Sequence, residues 1–390
     1  MAVFTVQEYK NRIENVKKEM AKQGIDILIA GNPANMNYLT GYDGKSYYVP
    51  QMIVVPIDEE IPYWIGRSMD RNGAKLTTWL PEDKLLFYED HYVQSLVSHP
   101  MNYVADFFKQ KKWDRKVIGM DLDLAFTAPR HYLEITKDLP NATFKDTSLL
   151  VNWVRIVKSD AEIEFIRNAA KIVDNAFDKT FEFMDVGVRE SHAAAVLHHA
   201  LIGGVGDIGG DYPSGPPTFL TGERASTAHY TWTDLPYEKD QLCLLETAGC
   251  YERYHCPMSR TIYFGTPPKE LEELGKKTIE AIEVALDCIK PGVTCEEVEA
   301  TWWKALGGGE VMKEVHRLGY STGVGYPPDW GEHTASMRAN DKTVLEPNMV
   351  FHLIPSVWDT NLAFSVSETV RVTETGCEPF ATYPRKLYVK

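Results

Sequence analysis

The first part of the chain alternates between helical and strand-like patterns of apolar residues. Apolar positions recur at helical spacing over Tyr9–Met20. Thr5 and Glu8 form a capping box before this stripe, and Gly24 is placed to end the helix. Apolar runs then predict buried strands at residues 25–30, 52–56 and 117–120. This alternation predicts a small α/β domain.

A second domain begins at another helix start signal. Ser159 and Glu162 form a capping box, and one apolar stripe runs from Ile163 to Phe177. Further along, strands are predicted at residues 242–246, 261–264, 349–354 and 367–372, and helices at residues 268–289 and 295–306. We therefore predict an α/β N-terminal domain over residues 1–153 and an α+β C-terminal domain over residues 154–390.

Composition and charge narrow the class of function. Of the 390 residues, 44% are hydrophobic and 25% are charged, which is typical of a globular protein with a large core. The net charge of -14 argues against nucleic acid and against anionic membrane surfaces, because both need basic patches. No apolar run reaches the roughly 18 residues that a membrane span requires. The start lacks the apolar stretch of a signal peptide, so we expect a cytoplasmic protein.

One glycine motif suggests nucleotide binding, but its context contradicts this. Gly204, Gly206 and Gly209 spell GxGxxG. A dinucleotide site needs a strand before this loop and a helix after it, so that the pyrophosphate meets a helix N-terminus. Here the loop follows a helix-like segment and runs into Asp211–Pro213. A loop that borders a pocket is the better interpretation.

Three polar residues in the second half are candidates for catalysis. Glu246 ends the apolar run 242–245, and Glu368 lies within an alternating strand. A carboxylate is costly to bury unless it serves a partner or a substrate. His229 has a side chain suited to proton transfer near neutral pH. Each residue alone is more often structural than catalytic, so the assignment depends on their combination.

Several segments together resemble the methionine aminopeptidase/prolidase/creatinase superfamily. They are the helix start at residues 155–170, His229, the segment Tyr254–Thr261, a G-x-x-x-G turn at Gly319–Gly323 and the EPxM strand entry at Glu346–Met349. The resemblance covers the whole chain and implies a pita-bread catalytic domain. It also implies a homodimer in which the N-terminal domain of one subunit completes the site of its neighbour, with Tyr47 as a candidate contributor.

The departures from this superfamily concern its metal site. Metal-dependent members bind two divalent ions through two Asp, one His and two Glu. The corresponding positions here are Glu246, Pro257, Tyr320, Ile354 and Glu368. Proline and isoleucine have no side-chain ligand atoms, and tyrosine is an uncommon ligand. The resemblance therefore implies a member without a metal and without any other cofactor.

Within the superfamily, the chain most resembles the ectoine hydrolases. The shared segments include GGDYP at Gly209–Pro213, RYH-PMSRT at Arg253–Thr261 and YPPDWGE at Tyr326–Glu332. This likeness implies a metal-independent hydrolase that opens the cyclic amidine of ectoine to N-acetyl-2,4-diaminobutyrate. The expected ligand is then a small zwitterion, bound without nucleic acid or membrane partners.

The retained residues suit this chemistry. Glu246 is predicted to act either as the nucleophile or as the base that activates water. His229 would transfer a proton to the departing nitrogen, and Glu368 would hold the amidinium. The candidate substrate-binding residues are Tyr47, Tyr212, Tyr320, Tyr326 and Trp330. For Tyr320, Tyr326 and Trp330, packing in the core is an equally good interpretation.

Other functions stay open at this point. The closest alternative is a creatinase-like hydrolase of another amidine or guanidine compound. Creatine itself is disfavoured, because Ser259 replaces the carboxylate that creatinase has before its Arg-Thr pair. A prolidase-type metallopeptidase with a rearranged site and a non-catalytic binding protein are further alternatives. The sequence does not separate ectoine from 5-hydroxyectoine.

Overall fold

The division of the chain into two units is the first feature of the structure. The structure is a computed structural model that describes residues 2–311, 316–358 and 362–390. The units are divided between Arg155 and Ile156, two residues after the predicted boundary at residues 153 and 154. Each unit has its own sheet.

The N-terminal unit is built on a mixed sheet. Its strands in the described residues are β1 (Ile27–Ala30), β2 (Met52–Pro56), β3 (Tyr63–Arg67), β4 (Leu85–Tyr88), β5 (Val117–Met120) and β6 (Thr143–Asp146). Their order in the sheet is β4-β3-β2-β1-β5-β6. β1 pairs parallel with β5 and antiparallel with β2, so the expected α/β domain is present.

Helices surround this sheet at the positions that local signals favour. They are α1 (Val6–Gln23), α2 (Pro33–Thr40), α3 (Arg71–Thr77), α4 (Pro100–Gln110), α5 (Pro129–Asp138) and α6 (Leu150–Val154). The Thr5 hydroxyl accepts the backbone N–H of Glu8 at the start of α1, and Gly24 ends the helix with a left-handed φ of 63°. The predicted limits of this helix are confirmed.

Long helices pack around the sheet of the C-terminal unit. They are α7 (Asp160–Phe183), α8 (Glu190–Gly203), α9 (Lys269–Cys288) and α10 (Cys295–Leu306). Complete capping boxes start α7 at Ser159 and Glu162, as predicted, and α10 at Thr294 and Glu297. α7 packs on the centre of the sheet, and α9 packs on α10.

The C-terminal sheet is long and mostly antiparallel. The strands of this unit are β7 (Thr218–Thr221), β8 (Gln241–Tyr251), β9 (Tyr254–Phe264), β10 (Gly319–Tyr326), β11 (Asp329–Met337), β12 (Val350–Leu353), β13 (Val357–Trp358), β14 (Ala363–Phe364), β15 (Glu368–Val372), β16 (Cys377–Pro379) and β17 (Tyr388–Val389). The main path runs β16-β15-β12-β10-β9-β8-β7, with β11 paired to β10 and β17 to β9. β13 and β14 form a separate pair.

The central hairpin is longer than the sequence pattern predicts. β8 and β9 pair over their full lengths, although strands were expected only at residues 242–246 and 261–264. The connection is a two-residue turn in which Glu252 and Arg253 both have positive φ, 49° and 68°. Such turns usually contain Gly or Asn. The sequence pattern therefore did not indicate the full hairpin, because its turn is charged and because Pro257 lies within β9.

The prediction of a turn at Gly319–Gly323 is wrong, because this segment lies within β10. The glycines here allow neighbouring groups to approach closely. A Cβ on Gly319 would lie 2.4 Å from the carbonyl oxygen of His352, on the adjacent strand β12. A Cβ on Gly325 would lie 3.0 Å from the Cα of Trp330. Glycine in this segment is a packing requirement rather than a turn signal.

The GxGxxG segment has the context that argued against nucleotide binding. It follows helix α8 and is succeeded by irregular chain and then by strand β7. Val205 and Ile208 pair within it, and the N–H of Asp211 donates to the carbonyl oxygen of Cys250 at 2.9 Å. Among the described residues, no helix combines the length and apolar character needed to cross a membrane.

Candidate active site

A cavity in the C-terminal unit has a volume of about 1250 Å³. Its wall includes residues of β7, β8, β10 and β11, together with the loop after β7 and the segment before β10. Two of the three predicted catalytic residues, His229 and Glu246, line it. The predicted binding residues Tyr320 and Trp330 line it as well. The cavity is therefore the candidate active site.

Glu246 brings a carboxyl group to the cavity wall from the sheet. Strand alternation directs it to the face opposite the fully buried neighbours Leu245 and Thr247. It pairs with Thr218 on β7 and with Ser259 on β9. Among the described residues, no group forms a hydrogen bond with its carboxyl oxygens. Burial raises the pKa of Glu246 to about 7, so this group ionises near neutral pH.

His229 lies in an exposed loop that a buried carboxylate holds in place. Nη2 of Arg224 lies 2.5 Å from Oε1 of Glu190, at the start of α8. Oε2 of Glu190 accepts the backbone N–H of Thr233 at 2.6 Å. Glu190 therefore contacts both ends of the segment that carries His229, and much of the loop, 226 and 228–231, lines the cavity.

Tyr320 and Trp330 form a hydrogen-bonded part of the wall. Nε1 of Trp330 donates to Oη of Tyr320 at 2.8 Å. The guanidinium of Arg317 lies 4.3 Å from the centre of the Tyr320 ring. Burial and the nearby charge of Glu246 raise the pKa of Tyr320, so its phenol stays protonated. Both aromatic side chains reach the cavity rather than only packing in the core.

A buried histidine behind this wall was missed by the sequence analysis. Nδ1 of His352 lies 3.2 Å from Oη of Tyr320, and Nε2 lies 2.8 Å from Oγ of Ser367. Burial lowers the pKa of His352 to about 3, so the ring is neutral at physiological pH. His352 stands in the apolar strand β12, where a single histidine gives no sequence signal of a role.

Glu368 is placed differently from Glu246. Its side chain is fully buried, and Oε1 lies 2.6 Å from Nη2 of Arg260 and 3.4 Å from Nη1 of Arg385. It is not among the residues that line the cavity. Its predicted contact with an amidinium stays a prediction, because guanidinium groups of the protein already bind this carboxylate.

The other predicted aromatic residues are not among those that line the cavity. Tyr212 lies beneath the guanidinium of Arg253, at 4.1 Å from the ring centre, and the buried Tyr326 lies 5.5 Å from the same group. Tyr47 belongs to the N-terminal unit, where its ring packs edge-on against Phe126. Its role across a subunit interface stays a prediction.

Charged residues that the sequence analysis did not select also line the cavity. Arg317 and Arg338 provide positive groups, and Asp329 provides a carboxylate that is 2.9 Å from Nε2 of His333. None of them belongs to a recognisable catalytic motif. They come together only because β10 and β11 form a hairpin beside β8 and β9.

Family models match almost the whole chain. Residues 164–374 match metallopeptidase family M24, and residues 12–157 match the creatinase/prolidase N-terminal domain. The chain belongs to family M24. This membership confirms the predicted creatinase-type N-terminal domain and pita-bread C-terminal domain, and it makes the chain a hydrolase by family.

Curated relatives match this chain over nearly its whole length. An uncharacterized hydrolase/peptidase of Sinorhizobium fredii is 42% identical over 99% of this chain and 98% of its own length. The ectoine hydrolase of Halomonas elongata is 40% identical, again over 99% of this chain and 98% of its own length. The solved prolidase from Thermococcus sibiricus has a TM-score of 0.84 at 19% identity and covers 98% of this chain and 99% of that one, which shows the common fold.

The residues of this M24 member do not fit a pair of divalent ions. Pro257 has no side-chain ligand, and its carbonyl oxygen accepts the Thr369 hydroxyl at 2.7 Å. Ile354 offers only an apolar surface to the cavity, and Glu368 is paired with Arg260. Over residues 2–311, 316–358 and 362–390, no three His, Cys, Asp or Glu side chains form a metal-binding group. The side chains at these positions are therefore unsuited to binding two divalent ions.

Proposed function

We propose that this M24 chain hydrolyses a small cyclic amidine that carries a carboxylate, that it does so without a metal ion, and that ectoine is its substrate. The carboxyl group of Glu246 carries the proposal, because within the described residues it faces the cavity without a protein hydrogen-bond partner. The Halomonas elongata relative, named ectoine hydrolase, supports the choice of ectoine. The expected product is N-acetyl-2,4-diaminobutyrate.

The charges around the cavity suit a zwitterion. An amidinium is planar and cationic, and its N–H groups suit a carboxylate such as Glu246. Arg317 and Arg338 are available for the carboxylate of the substrate. The ring faces of Tyr320 and Trp330 supply a surface that attracts a cation.

The reaction adds one water to the amidinium and yields an amide and an ammonium group. In one route, Glu246 as a carboxylate attacks the amidine carbon, the ring C–N bond breaks and water then hydrolyses the adduct. In the other, Glu246 takes a proton from the water that attacks this carbon. His229 delivers the proton to the departing nitrogen in both routes. A single turnover in ¹⁸O-water separates the direct route from a covalent route in which water attacks the carboxyl carbon of the Glu246 adduct, because the first product of that covalent route carries an unlabelled oxygen from Glu246.

The central test follows ectoine by NMR in the presence of purified protein, with and without a chelator. We expect ring opening at the same rate in both samples. Glu246→Gln should lower kcat by about 1000-fold, because the variant provides neither a nucleophile nor a base. Glu299→Gln is the matched control, since Glu299 is a buried carboxyl on α10 whose pKa burial also raises. It should keep wild-type turnover.

Two results would contradict the proposal. Hydrolysis of Xaa-Pro dipeptides that stops on chelation would identify a prolidase-type metallopeptidase. Tight binding of ectoine without turnover would identify a binding protein. Full activity of Glu246→Gln would remove Glu246 from the mechanism even if ectoine is the substrate.

A further inference from the structure

A chain of hydrogen bonds runs from the interior of the C-terminal sheet to the cavity. It begins at Ser367, passes through the ring of His352 and reaches the hydroxyl of Tyr320, which Trp330 also contacts. Ser367 and His352 are fully buried, whereas Tyr320 and Trp330 line the cavity. These hydrogen bonds therefore connect the buried Ser367 and His352, which a substrate cannot reach, with Tyr320, which it can.

The protons in this series of hydrogen bonds have few possible positions. The indole N–H of Trp330 is only a donor, so it occupies one lone pair of the Tyr320 oxygen. A neutral imidazole carries one N–H, so His352 donates either to Tyr320 or to Ser367, and it accepts from the other. If Tyr320 donates to His352, the phenol presents only a lone pair to the cavity. If His352 donates to Tyr320, the phenol O–H is directed into the cavity.

The surroundings of Tyr320 favour the second arrangement. Glu246 and Tyr320 line the same cavity, and the negative charge of Glu246 acts on the Tyr320 phenol. A phenol lone pair directed into the cavity would face this negative charge, whereas an O–H directed into the cavity turns its positive end towards the charge. Ser367 completes the arrangement by donating Oγ–H to Nε2 of His352.

We propose that His352 is a positioning residue for the hydrolysis and that it orients the Tyr320 hydroxyl to donate a hydrogen bond to the reacting atoms beside Glu246. This inference rests on the proposed function. Tyr320 is then a catalytic residue through its hydroxyl and not only through its ring. The phenol stays protonated, so it contributes a fixed hydrogen bond and transfers no proton. His352 acts on the reaction only through this hydroxyl.

Kinetics of single and double variants test whether His352 affects turnover only through the Tyr320 hydroxyl. Tyr320→Phe should lower kcat roughly 100-fold, the effect expected on losing one oriented donor, with a much smaller change in KM. His352→Phe should lower kcat similarly. In the double variant, His352→Phe should add almost nothing to Tyr320→Phe, because the hydroxyl through which it acts is already absent. Independent, multiplying effects would overturn the inference.

Conservative variants distinguish positioning from packing. The amide nitrogen of Asn reaches the place of Nδ1, and that of Gln reaches the place of Nε2. His352→Asn should therefore recover much of the kcat that His352→Phe loses, and His352→Gln should not. Equal recovery by both would indicate a packing role and overturn the inference. Tyr254→Phe is the control for loss of a buried tyrosine hydroxyl, since its partner Glu162 lies at 2.8 Å and neither residue lines the cavity.

The position of the proton on His352 can be measured without any substrate. Nitrogen NMR of ¹⁵N-histidine-labelled full-length protein, assigned with His352→Phe, should show Nδ1 protonated and Nε2 unprotonated. The opposite tautomer would overturn the inference even in an active enzyme. If wild-type protein leaves ectoine unchanged, the proposed function fails. This NMR measurement still decides how Tyr320 is oriented.

Discussion

Two glutamates of this protein show how the surroundings of a residue decide its chemistry. Glu246 and Glu368 both lie on strands of the same sheet. Oε1 of Glu368 has guanidinium groups of Arg260 and Arg385 within 3.4 Å. Glu246 has no hydrogen-bond partner among the described residues and faces the cavity. Glu368 is suited to holding the sheet together, and Glu246 is suited to contacting a substrate.

Activity should depend on the ionisation of Glu246. Both proposed routes need the carboxylate, and burial raises the pKa of Glu246 to about 7. Below this value kcat/KM should therefore fall about tenfold for each pH unit. A pH–rate profile with ectoine checks this. A plateau that extends unchanged down to about pH 5 would show that Glu246 is not the titrating group.

The free energy of unfolding should also depend on the ionisation of Glu246, but with the opposite pH trend. The carboxyl binds its proton more tightly in the folded protein than in the unfolded chain, so its contribution is greatest at acid pH. As the pH rises from the unfolded pKa through about 7, this contribution of at most about 3 kcal/mol is lost. Glu246→Gln should remove this part of the pH dependence. Urea unfolding of both proteins across this range provides the measurement.

At the scale of single elements, glycines in β10 set how closely strands approach. Gly319→Ala would place a methyl group 2.4 Å from the carbonyl oxygen of His352, and neither backbone can move away freely. We expect a loss of roughly 2–4 kcal/mol in the free energy of unfolding. Gly209→Ala is the control, because nothing lies within 4 Å of its added Cβ. Equal stability of the two variants would contradict this explanation.

The loop that carries His229 is a second element with a specific anchor. Removing the charge of Glu190 leaves Arg224 without its ion-pair partner at the base of the loop. Glu190→Gln should cost about 2–4 kcal/mol of stability and lower kcat as well, because His229 loses its fixed position.

Arg167→Gln is a control for this loop variant. It removes an ion pair with Glu378 of the same length, 2.5 Å, and neither residue lines the cavity. Activity below the melting temperature should be unchanged in this variant. If Glu190→Gln also kept full kcat at that temperature, the loop would not depend on its anchor.

At the scale of the whole molecule, the fold is shared with a solved prolidase. The Thermococcus sibiricus prolidase has the same fold at 19% identity, although Pro257 and Ile354 here replace potential metal ligands. A common fold therefore does not identify the reaction. The reaction must be argued from the residues that line the cavity.

The proposed homodimer can be tested by complementation. If Tyr47 acts in the cavity of a neighbouring subunit, Tyr47→Ala and Glu246→Gln are each inactive alone, but a mixed dimer contains one intact site. Random mixing of the two variants should restore about a quarter of wild-type activity. Sedimentation should give twice the chain mass of 44.2 kDa. No recovery in a confirmed mixed dimer would place Tyr47 outside the partner's site.

The sequence by itself determined the features that depend on neighbouring residues. The starts of α1 and α7 follow from Thr5 and Ser159, because a capping hydroxyl meets a backbone N–H three residues away. The apolar runs determined the cores of the strands, since burial follows local hydrophobicity. Glu246 and His229 were also selected as candidates this way, because a polar residue beside an apolar strand or within a matching motif is visible without a structure.

Only the tertiary structure decided which residues act together. Arg260 and its partner Glu368 are 108 positions apart in the sequence, and Tyr320 and His352 are 32 positions apart. No local pattern encodes such pairs, because they depend on the order and register of strands in the sheet. The same register placed Gly319 within a strand and brought Arg317 to the cavity wall. Charge compensation and hydrogen bonding across the sheet thus distinguish the cavity-lining acid Glu246 from the internally paired Glu368.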